Sequence, residues 1–178
     1  RSFKSVVAVG SLVAMLWGGV ATAQLQPDPL VRQDLPKPGA HWVWVMPLPE
    51  GLDPRESGPL LCGGITVFAP LREYNIPPTA RVGVVGIGGL GHMALKFCKA
   101  WGCEVTAFTS SQSKAEEARA FGAHRVVSTG DSAALAALAG QFDLIIDTVN
   151  ASLDWNGLLN ALAPNGRLHV VGAVLEPI

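Results

Sequence analysis

The chain has 178 residues, of which 49% are hydrophobic and 15% are charged, and its formal net charge is −1. This length suits one domain with additional segments, the apolar composition excludes a wholly disordered chain, and the near-neutral charge indicates no nucleic-acid partner. The three cysteines, Cys62, Cys98 and Cys103, are too few for a disulfide framework, which favours a reducing compartment such as the cytoplasm.

Residues 1–24 have the layout of a secretory signal peptide. Arg1 and Lys4 precede an uncharged apolar run at residues 6–20, and small residues follow at 21–23. An apolar segment displaced from a neighbouring domain fits the same pattern, so both interpretations stay open. The run is short for a membrane span, which needs about 20 apolar residues, and we expect no membrane association.

Residues 25–58 form a proline-rich, irregular segment. Prolines stand at 27, 29, 36, 38, 47, 49 and 54, and another follows directly at 59. Each proline removes a backbone donor and fixes φ, so long helices are excluded here. One short strand fits at residues 41–46, where Trp42 and Trp44 alternate with valines.

From residue 59 onward, predicted helices and strands alternate regularly. We predict helices at 60–74, 89–101, 112–121, 132–139 and 154–162, and strands at 81–86, 104–108, 125–127, 142–147 and 167–171. The strands are continuous apolar runs, which is typical of buried parallel strands. The sequence therefore predicts an α/β fold with a doubly wound parallel sheet, helices on both faces and right-handed crossovers.

A glycine motif lies between the first of these strands and its helix. Gly86, Gly88 and Gly91 have the spacing G-x-G-x-x-G. In a Rossmann-type fold the first glycine permits the tight turn, the second lets a pyrophosphate approach the backbone, and the third lets the helix pack closely on the strand. The helix N-terminus then favours the diphosphate, so the motif predicts a dinucleotide site.

The end of the second strand indicates which dinucleotide is bound. Sites for NAD usually have an acidic residue there, whereas this chain has Thr109, Ser110, Ser111 and Lys114. Hydroxyls and an ammonium group suit a 2′-phosphate, which favours NADP(H) over NAD. Alternatively, Ser111 or Ser113 caps the following helix and Lys114 lies on a solvated face; both interpretations can hold together.

Three separated segments carry a resemblance to a known family. Residues 59–66 read Pro-Leu-Leu-Cys-Gly-Gly-Ile-Thr, residues 84–92 contain the glycine motif, and residues 109–111 read Thr-Ser-Ser. In this order they resemble the zinc-containing alcohol dehydrogenases of the medium-chain dehydrogenase/reductase superfamily, in the cinnamyl-alcohol-dehydrogenase-like, NADP-dependent branch. The resemblance covers residues 41–178. It implies hydride transfer between NADPH and a small aldehyde or primary alcohol, a catalytic zinc, and a homodimer for the intact enzyme.

The resemblance also implies roles for individual residues. Cys62 corresponds to a ligand of the catalytic zinc, and Thr66 to a residue that packs on the nicotinamide. The pyrophosphate loop corresponds to Gly86, Gly88, Gly89, Leu90 and Gly91, and the 2′-phosphate pocket to Thr109, Ser110, Ser111 and Lys114. The segments that line the nicotinamide correspond to Thr148, Val149, Val171, Gly172 and Ala173.

The chain departs from the family pattern in its metal ligands. The family's other catalytic zinc ligands lie in an amino-terminal domain, and no such pair precedes Cys62; the four-cysteine structural cluster is also absent. One cysteine cannot hold a tetrahedral zinc, so zinc binding by this chain is doubtful. We therefore interpret residues 25–58 as a linker with a remnant of the catalytic domain, and residues 59–178 as an NADP-binding Rossmann domain that is incomplete at its carboxyl end.

Other titratable residues are interpreted as structural. The four histidines have no ligand spacing, and Asp143 and Asp147 flank a buried strand. We expect this chain to bind NADP(H) without turnover as the cofactor-binding part of a dehydrogenase. The alternative is a non-catalytic, stand-alone dinucleotide-binding module. A cytoplasmic location suits the nucleotide chemistry, although the signal-like run leaves export open.

Overall fold

The structure is a computed structural model that describes residues 6–8 and 45–172. The chain divides into two compact units, Arg1–Cys62 and Gly63–Ile178. Among the described residues, no helix combines the length and the apolar character needed to cross a membrane.

The described residues of the first unit include a short antiparallel strand pair and an α-helix. Strand β1 (Val6–Ala8) pairs with β2 (Val45–Pro47). The strand predicted at 41–46 overlaps β2 at residues 45 and 46, and residues 41–44 lie outside the described part. Helix α1 (Pro54–Pro59) is capped by Asp53, whose side chain accepts a hydrogen bond from the Arg55 amide. Pro54 is the first residue of the helix, where the backbone N–H that proline lacks would have no partner within the helix.

A π-helical turn, Leu60–Gly64, leads into α2 (Ile65–Glu73). The predicted helix at 60–74 is therefore present, in two parts with different winding. The elements that follow are β3 (Arg81–Val85), α3 (Gly89–Trp101), β4 (Glu104–Thr109), a 3₁₀ turn (Gln112–Lys114), α4 (Ala115–Phe121), β5 (Arg125–Ser128), α5 (Ser132–Ala136), β6 (Phe142–Asp147), α6 (Trp155–Ala161) and β7 (Leu162–Val170).

Five strands of the second unit form one parallel sheet in the order β5-β4-β3-β6-β7. The order reverses between β3 and β6, which is the position where doubly wound sheets bind ligands at the carboxyl ends of their strands. The predicted α/β class, with a Rossmann-type parallel sheet, is confirmed.

Helices cover both faces of this sheet. Successive side chains of a strand point to opposite faces, so each strand contributes apolar side chains to a core on either side. On one face, Val82 and Val84 of β3 pack in a cluster with residues of α2, α3 and α4. On the other face, Val85 packs with Phe108, Phe142 and residues of α5 and α6. Phe108 lies over Gly83, whose missing side chain leaves room for the ring.

Some predicted bounds differ from the observed ones. Helix α5 ends at Ala136 rather than at residue 139, and the predicted helix at 112–121 begins as a 3₁₀ turn. The strand predicted at 167–171 is longer, because β7 starts at Leu162. Leu162 pairs with Phe142, and the register then shifts so that Arg167 pairs with Leu144.

Candidate functional site

The glycine motif forms a tight turn at the carboxyl end of β3. Gly86 has φ +85°, a backbone conformation that glycine adopts without a steric cost. Its amide donates to the Phe108 carbonyl at 2.9 Å, which ties the turn to the end of β4. A Cβ at Gly86 would come within 2.1 Å of Val149 Cγ1, so the position also requires the absence of a side chain.

Helix α3 begins directly after this turn. Gly88 precedes the helix in an extended conformation, and no side chain caps the first turn. The amides of that turn are thus left for another acceptor, and the helix dipole favours an anion there. A Cβ at Gly88 or Gly89 would meet no atom within 4 Å, so space adjoins the backbone at both residues.

Close packing of the turn and the helix depends on Gly91. A Cβ at this residue would lie 1.8 Å from the Gly86 carbonyl oxygen, which no real side chain could tolerate. The predicted reason for the third glycine, a close approach of helix and strand, is therefore what the structure shows.

The end of β6 is bonded to the glycine turn. The Thr148 hydroxyl donates to the Val85 carbonyl at 2.8 Å and approaches the Gly86 carbonyl at 3.2 Å. The Thr148 amide also donates to the Val85 carbonyl, at 3.0 Å. The sequence implied only a role for Thr148 beside the nicotinamide, so its hydroxyl contacts were missed.

The ends of β6 and β7 are joined through Asp147. Its carbonyl accepts from the amides of Val171 and Gly172, at 2.8 and 3.2 Å, and its Oδ1 accepts from the Val149 amide at 3.1 Å. A Cβ at Gly172 would lie 1.8 Å from the Val149 carbonyl oxygen. The predicted segments 148–149 and 171–172 are thus brought together at the strand ends, whereas Ala173 lies outside the described residues.

The Asp147 carboxyl group is fully buried, and its Oδ2 has no hydrogen-bond partner. Burial raises the pKa of Asp147, and the hydrogen bond from the Val149 amide opposes that shift. Burial acts against the ionised form, because a carboxylate there loses its hydration without full replacement.

The segment after β4 places Lys114 beside the glycine turn. Lys114 Nζ donates to the Ile87 carbonyl at 3.1 Å. The buried Thr109 accepts from the Ser111 amide at 3.2 Å, while the hydroxyls of Ser111 and Ser113 share a hydrogen bond of 2.8 Å. Neither serine caps α4: this part of the capping alternative is wrong, because the helix starts at Ala115 after Lys114 without a side-chain cap.

Ser110 is exposed at the carboxyl end of β4. Together with Ser111, Ser113 and Lys114 it forms a polar rim at that edge of the sheet. The predicted residues of the glycine turn and of the 2′-phosphate pocket are thus neighbours, because Lys114 contacts Ile87 within the turn.

The two residues implied for catalysis lie on the segment before the sheet. Cys62 is an exposed residue of the π-helical turn. Thr66 is half-buried in the first turn of α2, within the second unit. That segment packs on α3, since a Cβ at Gly63 would come within 2.6 Å of the Met93 side chain.

The donor set does not fit a catalytic zinc. Such a site needs three protein ligands and an open position. Across residues 6–8 and 45–172, no group of three histidine, cysteine or acidic residues could hold a metal ion. Cys62 is a single donor, and one thiolate cannot complete a tetrahedral site.

Most other titratable residues have structural contacts. Asp143 accepts from the Arg81 amide, His124 accepts from the Val105 amide, and His92 Nδ1 donates to the Gly88 carbonyl. His169 shares a 3.0 Å hydrogen bond with the Tyr74 hydroxyl, and burial lowers its pKa. His41 lies outside the described residues.

Comparisons with known proteins agree with this architecture. The family model described as zinc-binding dehydrogenase matches residues 89–178. Aldehyde reductase AdhA of Synechocystis sp. is 54% identical over 139 residues, which cover 78% of this chain and 41% of that protein. The chain thus spans about two fifths of the length of this relative.

Two solved structures are similar in fold and sequence. The cinnamyl alcohol dehydrogenase SbCAD4 from Sorghum bicolor has a TM-score of 0.72 and 44% identity, over 75% of this chain and 38% of that one. The cinnamyl alcohol dehydrogenase from Helicobacter pylori, solved with NADP(H), has a TM-score of 0.65 and 33% identity, over 74% and 36% of the respective chains.

Proposed function

The chain belongs to the zinc-binding dehydrogenase family, in its cinnamyl-alcohol-dehydrogenase-like branch, and we propose that the domain predicted over residues 59–178 holds NADP(H). The observation that carries the proposal is the start of α3, which has no side-chain cap and has space beside Gly88 and Gly89. A diphosphate fits there, because it needs amide donors and a backbone without side chains.

Each part of the cofactor has matching groups in the chain. The first-turn amides of α3 bind the diphosphate, together with the helix dipole. Ser110 and Ser111 donate hydrogen bonds to the 2′-phosphate, and Lys114 supplies the cation. The strand ends at Thr148, Val149, Val171 and Gly172, with Ala173, line the nicotinamide. The place of the first four of these residues at the carboxyl ends of β6 and β7 supports this assignment.

For the whole protein we propose NADP(H)-dependent interconversion of an aldehyde and a primary alcohol. When bound, the nicotinamide supplies or accepts the hydride. The contribution of this chain is to fix the dinucleotide at the strand ends, with Thr66 packing beside the ring. For the whole protein we also propose a small-molecule substrate, a cytoplasmic location and a homodimer.

A second candidate is a dinucleotide-binding module without turnover. It is favoured by the donor set, because Cys62 is one ligand and the described residues supply no cluster that could complete a metal site. The two candidates share the same cofactor site and differ in whether this chain reduces an aldehyde.

The cofactor proposal is tested by titrating the 178-residue chain with NADPH and with NADH, using calorimetry and thermal unfolding. We expect NADPH to bind more tightly, and to stabilise the chain by about 2.7 kcal/mol at a concentration of 100 Kd. Absence of binding and of stabilisation by NADPH would contradict the proposal.

Turnover is tested separately with NADPH, Zn²⁺ and an aromatic aldehyde, by following NADPH absorbance. We expect binding without sustained oxidation of NADPH by this chain. Robust turnover would reject the second candidate and leave the cofactor site intact.

A further inference from the structure

Thr148 contacts the glycine turn from the neighbouring strand. Its hydroxyl lies 2.8 Å from the Val85 carbonyl oxygen and 3.2 Å from that of Gly86. It also lies 3.2 Å from the position a Cβ would take at Gly91. One hydroxyl group is therefore packed against the end of β3, the turn and the first turn of α3 at the same time.

These contacts fix the direction of one peptide plane. The Gly86 carbonyl points towards Thr148 and Gly91, and in a trans peptide the carbonyl and the following amide point in opposite directions. The Ile87 amide is consequently directed away from Thr148. Glycine has wide rotational freedom, so without a tether this plane could rotate at low cost.

We propose that Thr148 is a positioning residue whose hydroxyl holds the Gly86–Ile87 peptide in the orientation that binds the cofactor diphosphate. This inference rests on the proposed function, in which the main chain at Thr148 lines the nicotinamide, and it adds a separate role for the Thr148 hydroxyl at the diphosphate. Threonine suits the role because its β-branched side chain has few rotamers, which limits where the hydroxyl can point.

The backbone of Thr148 is held independently of its hydroxyl. The Thr148 amide donates to the Val85 carbonyl at 3.0 Å, and this bond survives any substitution except proline. Thr148→Val keeps the shape of the side chain and removes only the donor, so it isolates the effect of the hydroxyl.

The experiment compares two ligands on the full chain. NADPH has the diphosphate, whereas 2′-AMP has the adenosine and the 2′-phosphate without a diphosphate. A reference ligand, 2′-phospho-ADP-ribose, has the diphosphate and no nicotinamide, and we expect it to lose as much affinity as NADPH in Thr148→Val. An unchanged affinity for this reference ligand would assign the loss to the nicotinamide end and overturn the positioning role. We expect Thr148→Val to weaken NADPH binding roughly five- to tenfold, as loss of one hydrogen bond predicts, and to change 2′-AMP binding less than twofold. Thr148→Ser should bind NADPH nearly as tightly as the original chain.

Thr106→Val is the matched control. Thr106 is a buried threonine of β4, whose hydroxyl accepts from Arg125 Nε at 3.4 Å, and it has no contact with the glycine turn among the described residues. The control removes a buried hydroxyl from the same sheet, and we expect both ligands to bind it as they bind the original chain.

The outcomes separate the inference from the proposed function. NADPH binding unchanged in Thr148→Val, or an equal loss for NADPH and 2′-AMP, overturns the positioning role, since general destabilisation affects both ligands. An original chain that binds neither ligand overturns the proposed function, and the inference with it. Should Thr148→Val not fold, Thr148→Ala compared with Thr148→Ser gives the same test.

Discussion

Two glycines of the same motif should respond in opposite ways to one added methyl group. At Gly91, a Cβ would lie 1.8 Å from the Gly86 carbonyl oxygen, whereas at Gly88 a Cβ would meet nothing within 4 Å. Gly88 also has φ −108° and ψ −155°, which alanine adopts readily. Alanine at Gly91 should therefore disturb the fold, and alanine at Gly88 should disturb only a ligand.

The size of each effect follows from the geometry. Real Cβ atoms essentially never approach closer than 3.0 Å, so Gly91→Ala requires a movement of about 1.2 Å (3.0 minus 1.8) between two backbone segments. Overpacking of this kind lowers the free energy of unfolding by about 3 kcal/mol. Alanine has a higher helix propensity than glycine, which raises it again by about 1 kcal/mol. We expect a net loss of roughly 2 kcal/mol or more in unfolding free energy.

For Gly88→Ala the expected change in unfolding free energy is near zero, or a gain of about 0.5 kcal/mol from the stiffer unfolded chain. The methyl group would enter the space proposed for the diphosphate, and we expect NADPH affinity to fall at least tenfold, about 1.4 kcal/mol. Urea denaturation measures the first quantity and NADPH titration the second. Normal NADPH binding by a stably folded Gly88→Ala variant would refute the reasoning.

Further predictions concern charge and exposure. Lys114→Ala should weaken NADPH binding more than NADH binding; equal effects in parallel titrations would reject its role at the 2′-phosphate. Burial raises the pKa of Asp147 in the folded chain above its ordinary value of 3.8. Between these two pKa values the folded chain binds a proton that the unfolded chain has released. The contribution of Asp147 to the free energy of unfolding therefore declines as the pH rises from 3.8 through the folded-state pKa. Asp147→Asn should flatten that decline in urea denaturation followed upwards from pH 3.8, and a slope as steep as the original would contradict the assignment. A thiol reagent should label Cys62 in the folded chain and spare the buried Cys98 and Cys103, since burial raises the pKa of Cys98 to about 12; peptide mass spectrometry that finds rapid labelling of Cys98 would contradict this.

Helix α3 shows why much of the fold could be predicted from sequence. Its start follows from the glycine motif, and its end follows from Gly102, which has φ +103° as a left-handed C-cap. The bounds observed are those predicted, and the same holds for β6. In both elements, local sequence signals and tertiary packing favour the same residues.

Elements were mispredicted where pairing across the sheet overrides local signals. Pro164, Asn165 and Gly166 are typical of a turn, and Asn165 has φ +64°, yet β7 runs through them. The strand continues because Leu162 pairs with Phe142 before the register shift. This register shift depends on pairing with the partner strand, which the local sequence does not encode.

The glycine positions of the candidate site could be predicted from the sequence, whereas most of its side-chain hydrogen bonds could not. Gly86 and Gly91 follow from a spacing whose physical reasons are known. The Thr148 hydroxyl and Lys114 Nζ both contact backbone carbonyls, at Val85 and Ile87. Any residue offers such a carbonyl, so the sequence has no signal that pairs these side chains with their acceptors.

Gly91 and Gly172 bring one main chain against another at separations that no side chain could enter. At Gly91 and Gly172 the surface of the candidate site is thus formed by peptide groups, whose chemistry is the same in every protein. The polar rim around Ser110 and Lys114 consists of exposed or partly exposed side chains without that restriction. The preference for one nicotinamide dinucleotide over another could therefore be changed by substituting residues of the polar rim alone, without any substitution at the closely packed strand ends.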